Sequence, residues 1–343
     1  IHIDCFKGRQ VHFVGIGGIS MSGLAEILLQ RGYTVTGSDL KESHITQRLM
    51  EKGAKVYIGH HPDNVQGAQL VVHTAAVKTD NPEIQEAHRR NIPVIDRATL
   101  LGQIMEAYPY SIAVSGSHGK TTTTSMLSTI LLHADLDPTI LVGGELDTIG
   151  GNVRTGSSPY FITEACEYVE SFLHFKPYIA IILNIDADHL DYFKDINHIY
   201  QAFSKFAHLV PQNGYAVGCS DDPLVAKLLS QLQCHTISYG IRESSDWKAG
   251  DIHYSSQGTA CFKAFHKGQY VGDVELSVPG KHNVYNALAA TAAAYAVGIP
   301  FEVIKEALAT YKGTHRRLEF KGKMGEVTIL DDYAHHPTEI KAT

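Results

Sequence analysis

Residues 110–124 read YSIAVSGSHGKTTTT, and they carry the strongest local signal of the sequence. An apolar run typical of a buried strand passes directly into a glycine- and lysine-containing turn, and a helix is predicted from Lys120. This order predicts a phosphate-binding loop, because backbone N–H groups of the turn and of the helix N-terminus form a cradle for anions. The match to the GxxxxGK[ST] pattern is incomplete, since Val114 stands at the first glycine position.

The side chains of this loop suit a nucleoside triphosphate with its metal. Lys120 can neutralise the β- and γ-phosphates, and the Thr121 hydroxyl can ligate Mg²⁺. Four consecutive threonines have poor helix propensity unless their hydroxyls are used. The alternative is a glycine-rich helix start with a surface lysine. The predicted nucleotide-binding residues of the loop are Gly116, Ser117, Gly119, Lys120, Thr121 and Thr122.

The chain before the loop alternates short β-branched runs with helical stretches. Strands are predicted within 11–16, 34–39 and 70–77. Alternation of this kind indicates a parallel sheet with helices on its faces. After the loop, residues 251–279 change to period-two alternation with glycine turns, which predicts antiparallel strands added to the sheet.

The sequence therefore predicts an α/β protein of several domains. Residues 1–109 are expected to form a Rossmann-like domain, and residues 110–312 a P-loop ATPase-type central α/β domain with added antiparallel strands. A new unit begins after Gly313 with LEFKGK and EVTILDDYAHHPTEI. We interpret residues 313–343 as the start of a third α/β domain whose remainder is absent, because a further helix is predicted to begin where the sequence stops.

Residues 15–20, GIGGIS, form a second glycine-rich turn after a predicted strand. They resemble the GxGxxG fingerprint of dinucleotide-binding proteins, with Ser20 at the third glycine position. Asp39 ends the next predicted strand, where a ribose contact would lie. We interpret the turn as a site for a nucleotide diphosphate. A nicotinamide cofactor and plain helix–strand packing are the alternatives.

Two predicted strand ends of the central domain carry polar side chains. TEACE at 163–167 includes Glu164, and NIDADHLD at 184–191 includes His189. Ligands of open α/β sheets collect at the carboxyl ends of strands. A carboxylate and an imidazole there could hold Mg²⁺ between nucleotide and substrate, in an oxygen-rich site with one nitrogen ligand. The alternative for the second segment is a solvated helix start.

Further polar residues lie toward the end of the chain. Asn283 and Asn286 are three positions apart at the start of an alanine-rich predicted helix, so they are neighbours on one helix face. Side-chain amides suit recognition of a purine edge, although asparagine also caps helices. Arg317 precedes the third unit, where an arginine suits clamping of a phosphate. A basic surface pair with Arg316 is the alternative reading.

The composition excludes several classes of protein. Lys and Arg number 29 and Asp and Glu number 36, which gives a net charge of −7, and 44% of the residues are hydrophobic. A globular protein is therefore expected, and the lack of a long basic run argues against binding to nucleic acid or to an anionic membrane surface. No apolar run reaches the ~18 residues of a membrane span. Five scattered cysteines, never spaced as CxxC, indicate reduced thiols in a cytoplasmic protein.

Taken together, the motifs resemble the Mur ligase family. The resemblance covers essentially the whole chain and rests on VHFVGIGGISMSGLA, SGSHGKTTTTSM, EACE, NIDADHLDYF, PGKHNVYNALAA, HRRLEF and LDDYAHHPTE in this order. It implies a three-domain ligase of peptidoglycan precursor synthesis, and thus of cell-wall biogenesis, that uses ATP and Mg²⁺. Within the family, SHGKTTTTS and GGISMSGLA favour the member that joins L-alanine to UDP-N-acetylmuramate over the tripeptide-recycling ligase.

The resemblance also implies roles for individual residues. Those implied in catalysis are Lys120, Glu164, His189 and Arg317, and the implied metal ligands are Thr121, Glu164 and His189. Further contacts to ATP would come from Asn283, Asn286 and Asp332, with Asn286 on the adenine side. The residues implied in binding the UDP-sugar are Gly15, Gly17, Gly18, Ser20, Asp39, His73 and Arg97, with His118 facing the muramyl carboxylate.

The implied reaction proceeds through an acyl phosphate, formed when the muramate carboxylate attacks the γ-phosphate of ATP. One departure from the family pattern is Cys166, which stands where an aspartate is common, while Glu164 is retained. With the third domain incomplete, this chain is expected to bind both nucleotides and to be a poor ligase.

The rival interpretations are another Mur-family ligase, a non-enzymatic nucleotide-binding regulator, and a nicotinamide-dependent oxidoreductase, which would leave the Lys120 loop unexplained. The oligomeric state is left open.

Overall fold

A computed structural model describes all 343 residues of the chain. By its internal contacts the chain separates into two compact units, residues 1–107 and residues 108–343. Each unit has a largely parallel β-sheet with helices, as the alternating sequence pattern predicts. Among the helices, none combines the length and the apolar character that a bilayer crossing requires.

The first unit is built on five parallel strands. These are β1 (Gln10–Val14), β2 (Thr34–Asp39), β3 (Lys55–Ile58), β4 (Leu70–His73) and β5 (Val94–Asp96). The helices are α1 (Ile19–Gln30), α2 (His44–Glu51), α3 (Pro82–Arg89) and α4 (Arg97–Met105), with 3-10 turns at Ile3–Phe6 and Pro62–Val65. The strand order is β3-β2-β1-β4-β5.

This order creates a crevice at the carboxyl ends of β1 and β4. The chain adds β2 and β3 on one side of β1 and then β4 and β5 on the other, so the connections leaving β1 and β4 diverge. The strand predicted over 70–77 is shorter than expected. It ends at His73, and the next residues form a turn in which Val77 N donates to Thr74 O. The sequence pattern does not predict α4, because this helix follows β5 without an intervening turn signal.

The second unit contains a ten-stranded sheet and a separate two-stranded sheet. The strands of the large sheet are β6 (Tyr110–Ser115), β7 (Thr139–Leu146), β8 (Gly151–Arg154), β9 (Tyr160–Glu164), β10 (Ile179–Ile182), β11 (Tyr215–Cys219), β12 (His235–Gly240), β13 (Trp247–Tyr254), β14 (Thr259–His266) and β15 (Gln269–Pro279). The helices are α5 (Lys120–His133), α6 (Ile196–Ala207), α7 (Pro223–Ser230), α8 (Lys281–Ala296) and α9 (Phe301–Thr310), with 3-10 segments at Asp147–Ile149 and Tyr168–His174. The last elements are β16 (Glu319–Met324), β17 (Val327–Asp331) and α10 (Pro337–Ala342).

Strand β6 lies inside the large sheet, whose order is β15-β14-β13-β12-β11-β10-β6-β9-β7-β8. It pairs in parallel with β10 on one side and with β9 on the other. The loop after β6, the end of β9 and the segment after β10 therefore meet at one edge of the sheet. Strands β13, β14 and β15 pair antiparallel, as the period-two alternation predicts.

Helix α8 connects the antiparallel extension to the edge where the loop lies. Its alanine-rich middle is buried against α5 and against the strands. Trp247, the single tryptophan, is 1% exposed and contacts Tyr295 near the end of α8 and Phe301 at the start of α9. The small side chains of α8 permit close helix packing, and the aromatic cluster holds the far end of the helix in place.

Candidate functional site

The predicted phosphate loop is held by the segment that follows β10. The Asn184 side chain contacts the backbone of His118 twice: its Oδ1 accepts from His118 N at 2.8 Å, and its Nδ2 donates to His118 O at 3.0 Å. Ser117 Oγ accepts from Asp186 N at 2.9 Å. Because the side-chain amide pairs like a second peptide group, the shape of the loop depends on residues almost 70 positions away. Asn184 was not among the predicted site residues.

The loop ends at Gly119, the residue before α5. Gly119 has φ +86°, which lies in the left-handed region that favours glycine. No side chain caps α5, and its first backbone hydrogen bond runs from Thr123 N to Gly119 O. The N–H groups of the first turn are thus available to an anion, at the positive end of the helix dipole.

Replacing Gly119 by alanine is expected to weaken ATP binding about tenfold or more. A Cβ built at this position lies 2.7 Å from Asn286 Oδ1 and 3.4 Å from Leu183 Cδ1. The left-handed backbone adds about 1–2 kcal/mol for a residue with a side chain. The loop must shift to relieve the close contacts of the Cβ and the backbone strain. This shift would move the N–H groups that are expected to receive the phosphates. Calorimetric titration with ATP measures the change.

Gly268→Ala is the matched control for this substitution. Gly268 has φ +79° in the turn between β14 and β15, and nothing lies within 4 Å of a Cβ built there. The control therefore carries a similar backbone penalty without contacting the phosphate loop. Unchanged ATP affinity in Gly119→Ala would contradict the assignment of this loop.

Lys120, the first residue of α5, forms a buried ion pair. Its Nζ donates to Gly116 O at 2.6 Å and lies 3.1 Å from Glu167 Oε2. The lysine side chain is 17% exposed and that of Glu167 only 2%. Burial alone would lower the pKa of Lys120, but the Glu167 carboxylate raises this pKa above its ordinary value. Lys120 consequently remains protonated beside the loop, as neutralisation of a phosphate requires.

Glu167 contacts two of the predicted site residues, although the sequence pattern does not predict it as one. Its Oε1 lies 3.5 Å from His189 Nε2, so the same carboxylate contacts two predicted site residues. Glu167, Asp188 and His189 carry potential ligand atoms within 4.8 Å of one another. A second carboxylate three positions after Glu164, at the same strand end, is the sequence signal that could have indicated Glu167.

Of the residues predicted to ligate Mg²⁺, His189 belongs to this cluster, while Thr121 and Glu164 lie on neighbouring elements. Glu164 Oε1 accepts from Gly143 N at 2.6 Å, which leaves Oε2 without a hydrogen bond. Thr121 is on the first turn of α5, and His189 adopts φ +53° in the loop after β10. Carboxylate and hydroxyl oxygens with one imidazole suit a hard divalent cation. The structure pairs His189 with Glu167, which adds a further carboxylate to the predicted donor set.

A cavity of about 580 Å³ opens beside the loop. Its size is typical of sites for small molecules and cofactors. Apolar side chains such as Leu183, Val278 and Tyr311 form part of its wall. The predicted site residues that line it are His118, Gly119, Thr122, Asn283, Asn286, Arg317 and Asp332. Lys120, Glu164 and His189 are outside this lining, and Lys120 and His189 contact the Glu167 carboxylate.

The two asparagines of α8 contact each other, as their spacing predicts. Asn286 Nδ2 donates to Asn283 Oδ1 at 3.1 Å, and Asn283 Nδ2 donates to Pro279 O at 2.8 Å. Both side chains are buried at the cavity wall, and Asn286 Oδ1 lies close to Gly119. One wall of the cavity therefore joins the amide pair directly to the phosphate loop.

A carboxylate with little exposure, Asp221, also lines the cavity. Asp221 Oδ2 accepts from Tyr285 OH at 2.7 Å and from Ile241 N at 2.8 Å, and Asp221 Oδ1 accepts from Glu243 N at 2.8 Å. Burial alone would raise the pKa of Asp221, but these hydrogen bonds lower it. Asp221 thus fixes the turn after β12 against α8. No sequence pattern singles it out.

The last segment of the chain contacts the loop through His118. The imidazole Nε2 lies 3.1 Å from Asp186 Oδ2, and Nδ1 lies 3.3 Å from Glu339 Oε1. The His336 ring is 4.7 Å from that of His118, centroid to centroid. Thr338 Oγ1 donates to Asp186 Oδ2 at 2.9 Å. His118 is therefore held between two carboxylates, one from each side of the loop.

Arg317 and Asp332 reach the cavity from the segment after α9. Asp332 Oδ2 accepts from Leu318 N and Oδ1 accepts from Ala334 N, both at 2.8 Å. The Arg317 guanidinium lies 5.8 Å from the centre of the Tyr333 ring. Asp332 thus stabilises the local turn, and Arg317 supplies a cation at the cavity wall.

In the first unit, the glycine-rich turn is bonded to the end of β2. Gly15 N and Ile16 N both donate to Ser38 O at 2.9 Å. Gly17 N donates to Asp39 Oδ2 at 2.8 Å, and a Cβ on residue 17 would lie 2.8 Å from the same oxygen, so the close approach requires glycine. Gly18 begins α1 without a side-chain cap, which leaves the N-terminus of this helix to an anion.

The other predicted UDP-sugar residues lie at the same edge of this sheet. Arg97 Nη1 donates to Ser20 Oγ at 2.9 Å, which joins the start of α4 to the start of α1. His73 ends β4, next to β1, and its Nδ1 is 2.9 Å from Thr74 O. A guanidinium beside an uncapped helix N-terminus suits a diphosphate. This geometry alone fits a nucleotide diphosphate and a dinucleotide equally well.

Comparison with known proteins identifies the family of the chain. A family model described as the Mur ligase middle domain matches residues 114–294, and one described as Mur ligase family, catalytic domain, matches residues 10–109. A UDP-N-acetylmuramate--L-alanine ligase of Caldanaerobacter subterraneus subsp. tengcongensis is 56% identical over 343 residues, which is all of this chain and 75% of that protein. The chain belongs to the Mur ligase family.

Further relatives of this Mur ligase agree in sequence and fold. The UDP-N-acetylmuramate--L-alanine ligase of Acetivibrio thermocellus is 57% identical over 99% of this chain and 73% of that protein. The solved structure of MurC from Thermotoga maritima superposes with a TM-score of 0.86 at 32% identity, over 97% of this chain and 76% of that one. The tripeptide ligase MPL from Neisseria meningitides gives a TM-score of 0.82 at 29% identity, over 90% of this chain and 99% of that one. The predicted family and fold class are confirmed.

Proposed function

We propose that this Mur ligase joins L-alanine to UDP-N-acetylmuramate, with ATP, through an acyl phosphate in peptidoglycan precursor synthesis. The observation that carries the proposal is the cavity in which the phosphate loop meets the buried asparagine pair. This cavity occurs in a chain that is 56% identical over its whole length to a protein named for that reaction. Among solved structures, MurC of Thermotoga maritima is 32% identical to the chain, and the MPL of Neisseria meningitides is 29% identical.

ATP would bind with its phosphates on the loop and its base toward α8. The N–H groups at the start of α5 would receive the phosphates, and Lys120 would supply the opposing charge. Asn286 is close to both Gly119 and Asn283, which supports the proposal that its amide would face the adenine edge. Mg²⁺ would be held by Thr121, Glu164 and His189, and its charge would reduce the repulsion between the reacting anions.

The chemistry requires positive charge where two anions meet. An oxygen of the muramate carboxylate forms a bond to the γ-phosphorus while the bond from that phosphorus to ADP breaks. The amine of L-alanine then attacks the acyl carbon, and inorganic phosphate leaves. Lys120 beside the loop and Arg317 at the cavity wall would stabilise charge in the first step. His118, which lies between Asp186 and Glu339, would orient the carboxylate.

The first unit would bind the UDP part of the substrate. The residues proposed for this role are Gly15, Gly17, Gly18, Ser20, Asp39, His73 and Arg97, and Ser20, Arg97 and the uncapped start of α1 suit the diphosphate. We also propose that residues 313–343 begin a third domain, since β16 and β17 form a sheet of their own. The reaction is proposed to take place in the cytoplasm, where ATP is available.

Calorimetric titration of the chain with UDP-N-acetylmuramate tests the assignment of the first unit, with NAD and NADH as controls. We expect saturable binding of the UDP-sugar and no binding of either nicotinamide cofactor, because the Mur ligase match covers the glycine-rich turn. Binding of NAD without a signal from the UDP-sugar would show that the turn serves a dinucleotide, and the ligase proposal would fail.

The amino acid is tested separately by ADP release in the presence of UDP-N-acetylmuramate. L-alanine is compared with glycine, L-serine and the tripeptide L-alanyl-γ-D-glutamyl-meso-diaminopimelate. We expect the fastest release with L-alanine, as the names of the relatives at 56–57% identity suggest. Fastest release with the tripeptide would favour the recycling ligase instead.

A further inference from the structure

A buried carboxylate of the first unit contacts the end of β2. Glu83, in the first turn of α3, is fully buried, and its two oxygens contact four side chains. Its Oε1 accepts from Asn64 Nδ2 at 2.7 Å and from His12 Nε2 at 3.3 Å. Its Oε2 accepts from Ser38 Oγ at 2.6 Å and from His60 Nδ1 at 2.9 Å. None of the proposed ligand contacts uses this network.

Ser38 connects the carboxylate to the glycine-rich turn. While its hydroxyl donates to Glu83, its backbone oxygen accepts from both Gly15 N and Ile16 N. The next residue, Asp39, accepts from Gly17 N. Three successive N–H groups of the turn are thus bonded to the strand end that Glu83 holds. The turn leads directly into the uncapped start of α1.

An ionised carboxylate in the protein interior is unfavourable unless hydrogen bonds or opposite charges compensate for the lost water. Burial alone would raise the pKa of Glu83, but hydrogen bonds from His12, Ser38 and Asn64 lower it below its ordinary value. The side chain is therefore a charged acceptor at neutral pH. Each carboxylate oxygen of Glu83 accepts from two donors. In a glutamine one of these oxygens is replaced by an NH₂ group, which cannot accept a hydrogen bond, so at least one of the contacts would be lost.

We propose that Glu83 is a positioning residue for the UDP-sugar site: it fixes the end of β2 and thereby the turn that presents the N-terminus of α1 to the diphosphate. Glu83 does not itself touch the ligand. The inference rests on the proposed function, because it takes the UDP-sugar as the ligand of this turn.

The test is Glu83→Gln in the full chain, with Glu26→Gln as the matched control. Glu26 is a second buried carboxylate of the first unit, paired with Arg48 and Lys52 at 2.7 Å, and it does not contact the glycine-rich turn. We expect Glu83→Gln to raise the Kd for UDP-N-acetylmuramate roughly tenfold while the Kd for ATP is unchanged. Glu26→Gln is expected to leave both constants within about twofold.

Amide hydrogen exchange distinguishes a positioning role from a general structural one. Loss of a positioning residue speeds exchange at the turn, whereas general destabilisation speeds it throughout the unit. In Glu83→Gln we expect the amides of Gly15 and Ile16 to exchange roughly tenfold faster, while those of Val11 and Phe13 within β1 keep their protection. If Glu83→Gln does not fold, Ser38→Ala is measured in the same way. It removes the hydroxyl donor and keeps the backbone oxygen, and the same direction of change is expected.

The outcomes separate the inference from the function on which it rests. Equal affinity for UDP-N-acetylmuramate in Glu83→Gln and in the unsubstituted chain would overturn the positioning role. Faster exchange spread evenly over the first unit would also overturn it, because it would show general loosening. Absence of UDP-N-acetylmuramate binding in the unsubstituted chain would overturn the proposed function instead.

Discussion

Replacing Lys120 by alanine is expected to lower the rate of ADP formation with UDP-N-acetylmuramate and L-alanine about 100- to 1,000-fold. Attack of a carboxylate on the γ-phosphate would gather negative charge, and in the proposed mechanism the Lys120 ammonium, next to Gly116 of the phosphate loop, stabilises this charge. The substitution also leaves the buried Glu167 carboxylate without its lysine, which adds repulsion toward the phosphates. A coupled assay of ADP release measures the rate, and titration with ATP measures the loss in binding.

Lys263→Ala is the control for this substitution. Lys263 is 48% exposed on β14 and pairs with Asp251 at 2.7 Å, away from the phosphate loop. We expect its ADP release to match that of the unsubstituted chain, since exposed ion pairs contribute little. Circular dichroism of both variants is measured to check that they are folded. Equal rates in Lys120→Ala and Lys263→Ala would contradict phosphoryl transfer at this loop.

Trp247→Ala is expected to destabilise the second unit by about 3–5 kcal/mol. The indole is stacked on the His266 ring with centroids 4.3 Å apart and meets Tyr295 edge-on at 5.2 Å. Truncation would leave a cavity in a cluster that is otherwise closely packed. For a unit of this size each kcal/mol corresponds to roughly 2–4 °C, so thermal unfolding followed by circular dichroism should shift by roughly 6–20 °C.

Tyr254→Ala on the same strand is the matched control. Tyr254 is 48% exposed, so its loss should change the free energy of unfolding by less than about 0.5 kcal/mol. Because Tyr295 belongs to α8, Trp247→Ala should also weaken ATP binding through the helix that carries the asparagine pair. If the unfolding temperature of Trp247→Ala falls no further than that of Tyr254→Ala, the aromatic cluster does not hold the antiparallel extension and α8 together.

The phosphate loop and the family could be recognised in the sequence because their signals are local. An apolar strand, a glycine-lysine turn and a helix occupy one continuous stretch, and the structure confirms all three around Gly119. The spacing of Asn283 and Asn286 places both on one helix face in the same way, and they are hydrogen-bonded to each other. Alternation of strands and helices likewise predicts the parallel sheets of both units.

The partners of these residues could not be predicted, because they come from distant parts of the chain. Asp39 is predicted to lie near a ribose, and the sequence does not show that its carboxylate also accepts from Gly17 N, a contact that the pairing of β1 with β2 brings about. In the sequence Glu167 does not differ from the other acidic residues, and only the fold shows that it lies beside Lys120 and His189. The sequence does not distinguish Glu83 from other residues of a predicted helix. In the fold its side chain is fully buried and accepts hydrogen bonds from four side chains.

The α/β architecture, the two glycine-rich turns and the Mur ligase family can be recognised in the amino-acid sequence, since hydrophobic period, turn chemistry and helix starts depend on neighbouring residues. Which carboxylates are buried, and which groups they contact, follows from the tertiary fold alone. Asn184, Asp221 and Glu167 acquire their roles where strand order brings separate loops to one sheet edge. Burial makes these contacts strong and selective, because a charged or polar group removed from water must find its partners within the fold.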